Sequence, residues 1–204
     1  MQKNQNKFVI FLNYTFLCFR IISINMEFYP KYEPMRWNKN FFIRKSHNCY
    51  AYALNLIYYQ YIDLCKKYNK GKGDDEYCKL VKPQPGMYAG YAKKQKNANI
   101  EKRMLKDNPC IKKTDFLTSC KTGYYKIALF VESKKRSNYH FYREDQNKLW
   151  SHKDGWSKAT NKDFSGSLIH NPTKCNRGHY DLFVGYYMVP INPRLKNMAN
   201  SLIK

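Results

Sequence analysis

The sequence predicts an α+β fold in which a helix that carries Cys49 packs on an antiparallel sheet. Three observations lead to this prediction. A capped, helix-like stretch begins near residue 48, apolar runs typical of strands follow residue 124, and polar turns separate these runs. Strands joined by short turns pair in antiparallel fashion.

The composition is that of a folded and strongly basic protein. The chain has 204 residues, of which 43% are hydrophobic, enough for one domain with a core. The net charge of +22, from 37 basic and 15 acidic residues, attracts anionic polymers and anionic membrane surfaces. Because there is no zinc-finger spacing and no basic helix with base-reading side chains, we expect this attraction to be non-specific.

The first 25 residues are mostly apolar and form an extension to the predicted domain. Three interpretations remain open: a start of translation upstream of the true Met26, a signal sequence, or a membrane anchor. Asn13 and Arg20 interrupt the apolar run, which is short for a spanning helix. We therefore rank a mis-started or dispensable extension first. Residues 26–190 are predicted to form the folded domain, and residues 191–204 a basic tail.

The predicted helix follows an irregular lead-in at residues 27–45. Asn48 can cap this helix, because its side-chain oxygen can accept a free backbone N–H group. Cys49 then takes the first helical position, where the helix dipole favours the thiolate and lowers the thiol pKa. The apolar spacing predicts a helix to about Lys67. Alternatively, Cys49 is only a small buried hydrophobic residue.

The rest of the chain is divided by proline and glycine. Residues 68–86 are predicted to form a loop that ends in Pro-Gln-Pro-Gly, and residues 90–113 a basic helix that ends at Pro109. Residues 160–179 are predicted to form a loop. The predicted strands lie at residues 125–132, 139–143, 149–153 and 181–189.

The number and spacing of the cysteines indicate that they are reduced. There are seven, an odd number, and none forms a Cys-x-x-Cys pair. Reduced thiols fit a cytosol-like reducing compartment best. We favour that compartment or a virion over a membrane-anchored location. Cys110 and Cys120 could pair under oxidising conditions.

Two histidines lie on neighbouring predicted strands. If residues 145–147 form a three-residue hairpin loop, His140 faces His152 across the two strands. Directly opposed residues have Cβ atoms roughly 4.5–5.5 Å apart, so the imidazoles can hydrogen-bond. A two-residue loop would pair His140 with Lys153 instead. The first register supplies a base and an orienting partner for a nucleophile at Cys49.

The order of these blocks resembles a papain-like cysteine peptidase. The segments are Asn-Cys-Tyr-Ala-Tyr-Ala, Pro-Gln-Pro-Gly, Tyr-His-Phe-Tyr-Arg, Trp-Ser-His-Lys-x-Gly and Phe-Val-Gly-Tyr-Tyr. Within that superfamily the chain resembles the NlpC-like branch, including a set of such proteins from bacteria and large DNA viruses of protists. The resemblance covers about residues 27–190. The long basic segment after Cys49 departs from the family pattern, and no familiar substrate-binding module is attached.

The resemblance implies a thiol hydrolase of amide or peptide bonds that needs no cofactor. It assigns Cys49 as nucleophile, His140 as base and His152 as orienting residue, with a peptide, peptidoglycan or protein amide as substrate. The first alternative is a binding or virion structural protein on the same fold whose chemistry is idle. The second is a basic protein that coats nucleic acid.

Other polar residues give weaker signals. His47 could shape the entrance or the oxyanion site, or be structural. Asn161 and Asp163 are the next candidates for the orienting position. The spacing of three residues loosely resembles that of metal ligands: His170, Cys175 and His179. Three ligands are one fewer than a structural zinc site requires.

Overall fold

Helices from the first half of the chain pack against an antiparallel sheet from the second half. The computed structural model describes residues 29–69, 78, 81–91 and 99–191. The helices in this part are α1 (Pro34–Asn38), α2 (Phe41–Ser46), α3 (Cys49–Ala53), α4 (Tyr59–Asn69) and α5 (Ile100–Asp107). The strands are β1 (Lys112–Thr114), β2 (Tyr124–Val131), β3 (Tyr139–Glu144), β4 (Trp150–Lys153), β5 (Ala159–Thr160) and β6 (Leu182–Pro190).

The six strands described form one sheet in the order β1-β6-β2-β3-β4-β5, and every neighbouring pair is antiparallel. The predicted α+β class is therefore confirmed, as are the four predicted strands within one or two residues. Strands β1 and β5 were not predicted. The basic helix predicted within residues 90–113 and ended by Pro109 is found in part as α5, which stops at Asp107. Its predicted end is wrong, because Lys112 pairs with Met188 of β6.

The sheet buries both of its faces. Alternation along β2 directs Ile127 and Leu129 to one face and Ala128 and Phe130 to the other. The first face packs against α3, α4 and α5. The second face is covered by the loops around residues 116 and 160–180. Its buried cluster contains Ala128, Phe130, Tyr142, Trp150, Ile169, Tyr180 and Tyr186.

The helix that begins at Cys49 is much shorter than predicted. The continuous helix to Lys67 is wrong, because α3 ends at Ala53 and α4 begins only at Tyr59. Asn55 between them has a φ of 54°, the left-handed conformation that asparagine tolerates. Its Oδ1 accepts hydrogen bonds from Arg36 and Arg143, both at 3.1 Å. These tertiary contacts stabilise the break.

The expectation of reduced cysteines is wrong for part of the chain. Cys65 on α4 forms a disulfide with Cys78. Cys110 is also disulfide-bonded, whereas Cys120 is free, so these two do not pair with each other. Cys49 and Cys175 are free as well. Covalent links of this kind stabilise the fold chiefly by restricting the unfolded chain.

The expectations for the two ends of the chain lie outside the described residues. The structure does not describe the predicted extension at residues 1–25, nor the predicted tail at 191–204 apart from residue 191. Among the helices that the structure describes, none has the length and apolar character needed to cross a membrane.

Lys153, at the end of β4, ties the sheet to the segment that precedes Cys49. Its side chain is buried, and Nζ donates to the backbone carbonyls of Arg44 at 2.7 Å, His47 at 2.6 Å and Gly155 at 2.8 Å. An ammonium group has three donors, so these carbonyls satisfy all of them. Burial still disfavours the charge and lowers the Lys153 pKa to about 7.

We expect Lys153→Met to lower the free energy of unfolding by about 3 kcal/mol, because it leaves the buried His47 carbonyl and the partly buried carbonyls of Arg44 and Gly155 without this donor. Urea unfolding at pH 7 would measure this loss. Lys158→Met, at an exposed lysine nearby, is the matched control and should change stability by about 0.5 kcal/mol or less. Equal stability of the two variants would show that Lys153 does not hold this junction.

Candidate active site

The start of α3 has the predicted cap. Asn48 Oδ1 accepts the backbone N–H of Ala51 at 3.2 Å, and Asn48 Nδ2 donates to the carbonyl of Pro83 at 2.7 Å. The second bond draws the Pro-Gln-Pro-Gly turn against the cap. Tyr139 joins the same cluster, because its hydroxyl donates to Gln84 Oε1 at 2.5 Å. The prediction that Cys49 opens a capped helix is confirmed.

The thiol of Cys49 does not have the predicted low pKa. Cys49 is only 4% exposed, and burial, which disfavours the thiolate, raises its pKa to about 12. The charge of Asp154 raises this pKa further, while Lys153 and nearby backbone N–H groups oppose the shift. A five-residue helix has only a small dipole to offset burial. The thiol donates a long hydrogen bond to the Tyr139 carbonyl at 3.8 Å.

The two histidines meet as predicted, but in a different register. His140 Nε2 lies 2.7 Å from His152 Nδ1. Strand β4 pairs His152 with Tyr142 rather than with His140, so the imidazoles meet diagonally. The predicted three-residue loop is wrong: the pairing ends at residues 144 and 150, and Lys148 in the longer loop has a left-handed backbone with a φ of 65°. A register shift of two residues keeps both histidines on the same face of the sheet, so their imidazoles still meet.

Hydrogen bonding determines which nitrogen carries the proton on each ring. Burial, followed for His140 by the neighbouring His152, lowers the pKa of both imidazoles, so both are neutral near pH 7. The Lys162 carbonyl, 2.9 Å from His152 Nε2, can only accept, so this nitrogen carries the proton. His152 Nδ1 must then accept from His140 Nε2–H. This series of hydrogen bonds leaves the free lone pair of His140 on Nδ1.

His140 Nδ1 is buried and has no hydrogen-bond partner among the described residues. The nearest charge is Asp154, whose Oδ1 lies 3.8 Å away. The hydroxyl of Tyr180 donates to the same carboxylate oxygen at 3.3 Å, and its ring stacks on His140 with a centroid distance of 4.8 Å. A lone pair on a buried imidazole nitrogen is the arrangement that a general base needs.

The structure does not join the thiol to the base. The Cys49 sulfur lies beside the β3 backbone and donates to the carbonyl of Tyr139, the residue before His140, instead of to His140 itself. Asp154 acts on both groups, because it lies 3.8 Å from His140 Nδ1 and its charge raises the Cys49 pKa. Of the three predicted site residues, His140 and His152 are in contact, and Cys49 is a neighbour without a hydrogen bond to either.

Sequence reasoning missed Asp154 and Tyr180. Asp154 directly follows the His152 strand, so its position next to a predicted site residue was an available signal. Tyr180 has no such signal, because it reaches His140 from the loop before β6 and only the tertiary fold determines that contact.

The other candidate residues are structural. His47 is buried, its Nε2 accepts the backbone N–H of Tyr58 at 2.8 Å, and Nδ1 lies 3.1 Å from the Ile43 carbonyl. It thus links α2 to the segment before α4. Asp163 organises a turn by accepting the backbone N–H groups of Ser165 and Asn176, both at 2.9 Å. It does not orient His140.

The metal-like spacing in the loop before β6 is not accompanied by a metal-binding cluster. Within the described ranges, no group of three or more His, Cys, Asp or Glu side chains is placed to hold a metal ion. His170 and His179 are exposed, and Cys175 donates to the Pro172 carbonyl at 3.4 Å.

These features define an α+β protein with a buried histidine pair beside a capped cysteine helix. Insoluble matrix shell protein 1 of Ruditapes philippinarum is 30% identical to this chain over 168 residues, which cover 81% of this chain and 93% of that protein. The chain therefore belongs to the same family as that shell protein. No model of a known protein family matches the sequence. No solved structure matches it either.

The buried neutral histidines make stability depend on pH. The pKa of His47 is lowered by burial to about 4, and those of His140 and His152 are also below 6.5. A depressed folded pKa contributes stability that is present above pH 6.5 and is lost as the pH falls towards the folded value. We expect each histidine to remove up to about 1.4 kcal/mol per pH unit below about pH 6.

Asp107 has the opposite effect on the pH dependence of stability. Burial raises its pKa from 3.8 to about 6 and thus favours the protonated form in the folded state. Its stabilisation therefore grows as the pH falls from about 6 to 3.8.

Urea unfolding between pH 7 and 4 measures the combined effect of the three histidines and Asp107 on the free energy of unfolding. His47→Gln should flatten the profile, whereas His170→Gln, at an exposed site, should leave it unchanged. A stability that does not fall below pH 6 would contradict the burial of neutral histidines.

Proposed function

We propose that the chain is a papain-like, NlpC-like cysteine hydrolase of amide or peptide bonds. One observation carries this proposal. The hydrogen bonds from His152 to Lys162 and from His140 to His152 leave Nδ1 of His140 as a buried proton acceptor, on the strand that the Cys49 thiol contacts. A nucleophile, a base and a residue that orients the base are the parts of thiol catalysis.

The reaction begins when the Cys49 side chain turns from the Tyr139 carbonyl towards His140. Nδ1 of His140 takes the thiol proton, and the sulfur attacks the substrate carbonyl. His140 then donates that proton to the leaving amine, and water hydrolyses the resulting thioester with His140 as base. His152 holds the ring and its tautomer throughout. The backbone N–H of Cys49, at the first helical position, donates to the oxyanion.

The burial of the site is consistent with a resting state. A thiol with a pKa of about 12 is unreactive in water near pH 7. Substrate that opens the site and brings the sulfur to Nδ1 would allow the proton to move within the pair, without a free thiolate. The proposed substrates are peptides, peptidoglycan peptides or protein amides, and the reaction requires no cofactor.

We expect p-nitrophenyl acetate to acetylate Cys49, with release of one p-nitrophenolate and an acetylated Cys49 peptide in the mass spectrum. His140→Ala should slow this step by about a hundredfold or more, because the base is lost. His152→Ala should slow it less, since an orienting residue does not move the proton. His152→Asn should retain more activity than His152→Ala, because its amide oxygen can accept from His140 Nε2.

The free cysteines Cys120 and Cys175 provide matched controls. Cys120→Ala and Cys175→Ala should leave the acetylation of Cys49 unchanged. If His140→Ala reacts at the wild-type rate at every pH while remaining folded, the proposed base is wrong. If Cys120 or Cys175 is acetylated faster than Cys49, the proposed nucleophile is wrong.

The second candidate function is that of a structural component of an extracellular matrix, with the thiol chemistry idle. The related shell protein bears the name of an insoluble matrix protein. The Cys65–Cys78 disulfide suits an oxidising compartment, and the charge of +22 favours contact with acidic polymers.

For a matrix role, we expect tight binding to soluble polyglutamate that weakens steeply between 50 and 200 mM salt, on the order of tenfold or more. Cys49→Ala should bind equally well, since the thiol plays no part. Fluorescence anisotropy of labelled polymers would measure the affinity, with duplex DNA as the comparison. Weak binding to polyglutamate at low salt would contradict the matrix role, and a strong preference for DNA would favour the nucleic-acid alternative.

A further inference from the structure

The candidate site is closed on all sides but one. Cys49, His140 and His152 are exposed by 4%, 0% and 3% respectively. The side chain of Asp154, which lies 3.8 Å from His140 Nδ1, is 37% exposed. Solvent thus reaches the carboxylate beside the proposed base but not the base itself.

Tyr180 fills the space between this carboxylate and the base. Its ring lies almost parallel to the His140 imidazole, with an interplanar angle of 18° and a centroid distance of 4.8 Å. Its hydroxyl donates to Asp154 Oδ1 at 3.3 Å. The ring covers one face of His140, and the hydroxyl secures the ring to the partly exposed carboxylate. A substrate that approaches His140 past Asp154 therefore meets Tyr180 first.

The backbone of Tyr180 itself makes only long hydrogen bonds, although its neighbours are firmly held: Arg177 donates to the Pro172 carbonyl at 2.8 Å, and Asp181 accepts from the Ser133 hydroxyl at 2.6 Å. The N–H of Tyr180 donates to the Arg177 carbonyl at 3.3 Å, and Arg177 Nε donates to the Tyr180 carbonyl at 3.3 Å, both long hydrogen bonds. Gly178 has a φ of 59°, and the residues on either side of it, Arg177 and His179, are partly or largely exposed. Such a turn can open locally at lower cost than a strand of the sheet.

We propose that Tyr180 is a gate residue, which covers His140 in the resting protein and swings away to admit substrate to Cys49 and His140. This inference rests on the proposed hydrolase function, because it assigns the gate to that site. Opening removes the stacked ring from His140 and breaks the bond to Asp154. It leaves His152 and the rest of the hydrogen-bond chain in place.

The gate predicts a graded effect of two substitutions on the alkylation of Cys49 by iodoacetamide. Tyr180→Phe keeps the ring but loses the bond to Asp154, and should accelerate alkylation by about threefold to tenfold. Tyr180→Ala also removes the stacked ring, and should accelerate it by about tenfold to a hundredfold. Peptide mass spectrometry of the full-length protein gives the rate, with Cys120 as the internal reference.

Matched controls come from the same face of the sheet. Tyr186→Phe removes a hydroxyl that bonds Asn171 at 3.0 Å, and Phe183→Ala removes a ring that packs on Phe130. Neither residue contacts His140, so both variants should alkylate Cys49 within about twofold of the wild-type rate. Cys120, which lies outside the cluster that contains Tyr180, should react at an unchanged rate in all variants.

A wild-type rate in folded Tyr180→Ala would overturn the gate. If Tyr180→Ala does not fold, a wild-type rate in Tyr180→Phe overturns it instead. The combination of Tyr180→Ala with His140→Ala separates the gate from the chemistry. Fast alkylation that His140→Ala does not slow supports the gate and contradicts the base. A wild-type rate in Tyr180→Ala, together with slow acetylation in His140→Ala, contradicts the gate and supports the base.

Discussion

The ammonium group of Lys153 is the contact on which the relative position of the cysteine helix and the sheet depends. It lies in the interior and donates to three carbonyls, two of which, those of Arg44 and His47, belong to the segment that leads into Cys49. Because Lys153 directly follows His152, the same strand carries the proposed orienting residue and anchors the helix that begins at Cys49. An aliphatic side chain of the same size could fill the space but could not satisfy the carbonyls.

Two other buried charges connect parts of the chain that are distant in sequence. The guanidinium of Arg143 bonds Asp145 at 2.7 Å and Asn55 at 3.1 Å, so β3 is tied to the break between α3 and α4. The carboxylate of Asp107 accepts from Tyr50 and from backbone N–H groups of the turn that contains Gly86. Buried charges with satisfied partners restrict the packing to one arrangement, because any other arrangement leaves a charge unpaired.

The same burial determines the chemistry of the candidate site. Because these side chains are buried, the His140 and His152 rings are neutral and the Cys49 thiol is protonated near pH 7. In the proposed reaction the neutral imidazole accepts the thiol proton at Nδ1 once the thiol reaches it. Membership in the family of a matrix shell protein is compatible with the proposed enzyme and with the structural alternative.

The sequence by itself determined the local features of this protein. Asn48 caps the cysteine helix because the cap needs only neighbouring backbone groups. The strands that carry His140 and His152 follow from alternating and apolar patterns. The contact between the two rings tolerated an error of two residues in register, because side chains on a strand repeat every two residues.

Tertiary structure decided the features that depend on distant contacts and on burial. The helix breaks at Asn55 because arginines from other elements bind its side chain. The pKa of Cys49 is raised because the packed sheet excludes water, which outweighs the dipole of a short helix. Tyr180 covers His140 because a loop far along the chain folds back over the sheet. Local sequence patterns carry no information about such contacts, since the partners are adjacent only in the folded chain.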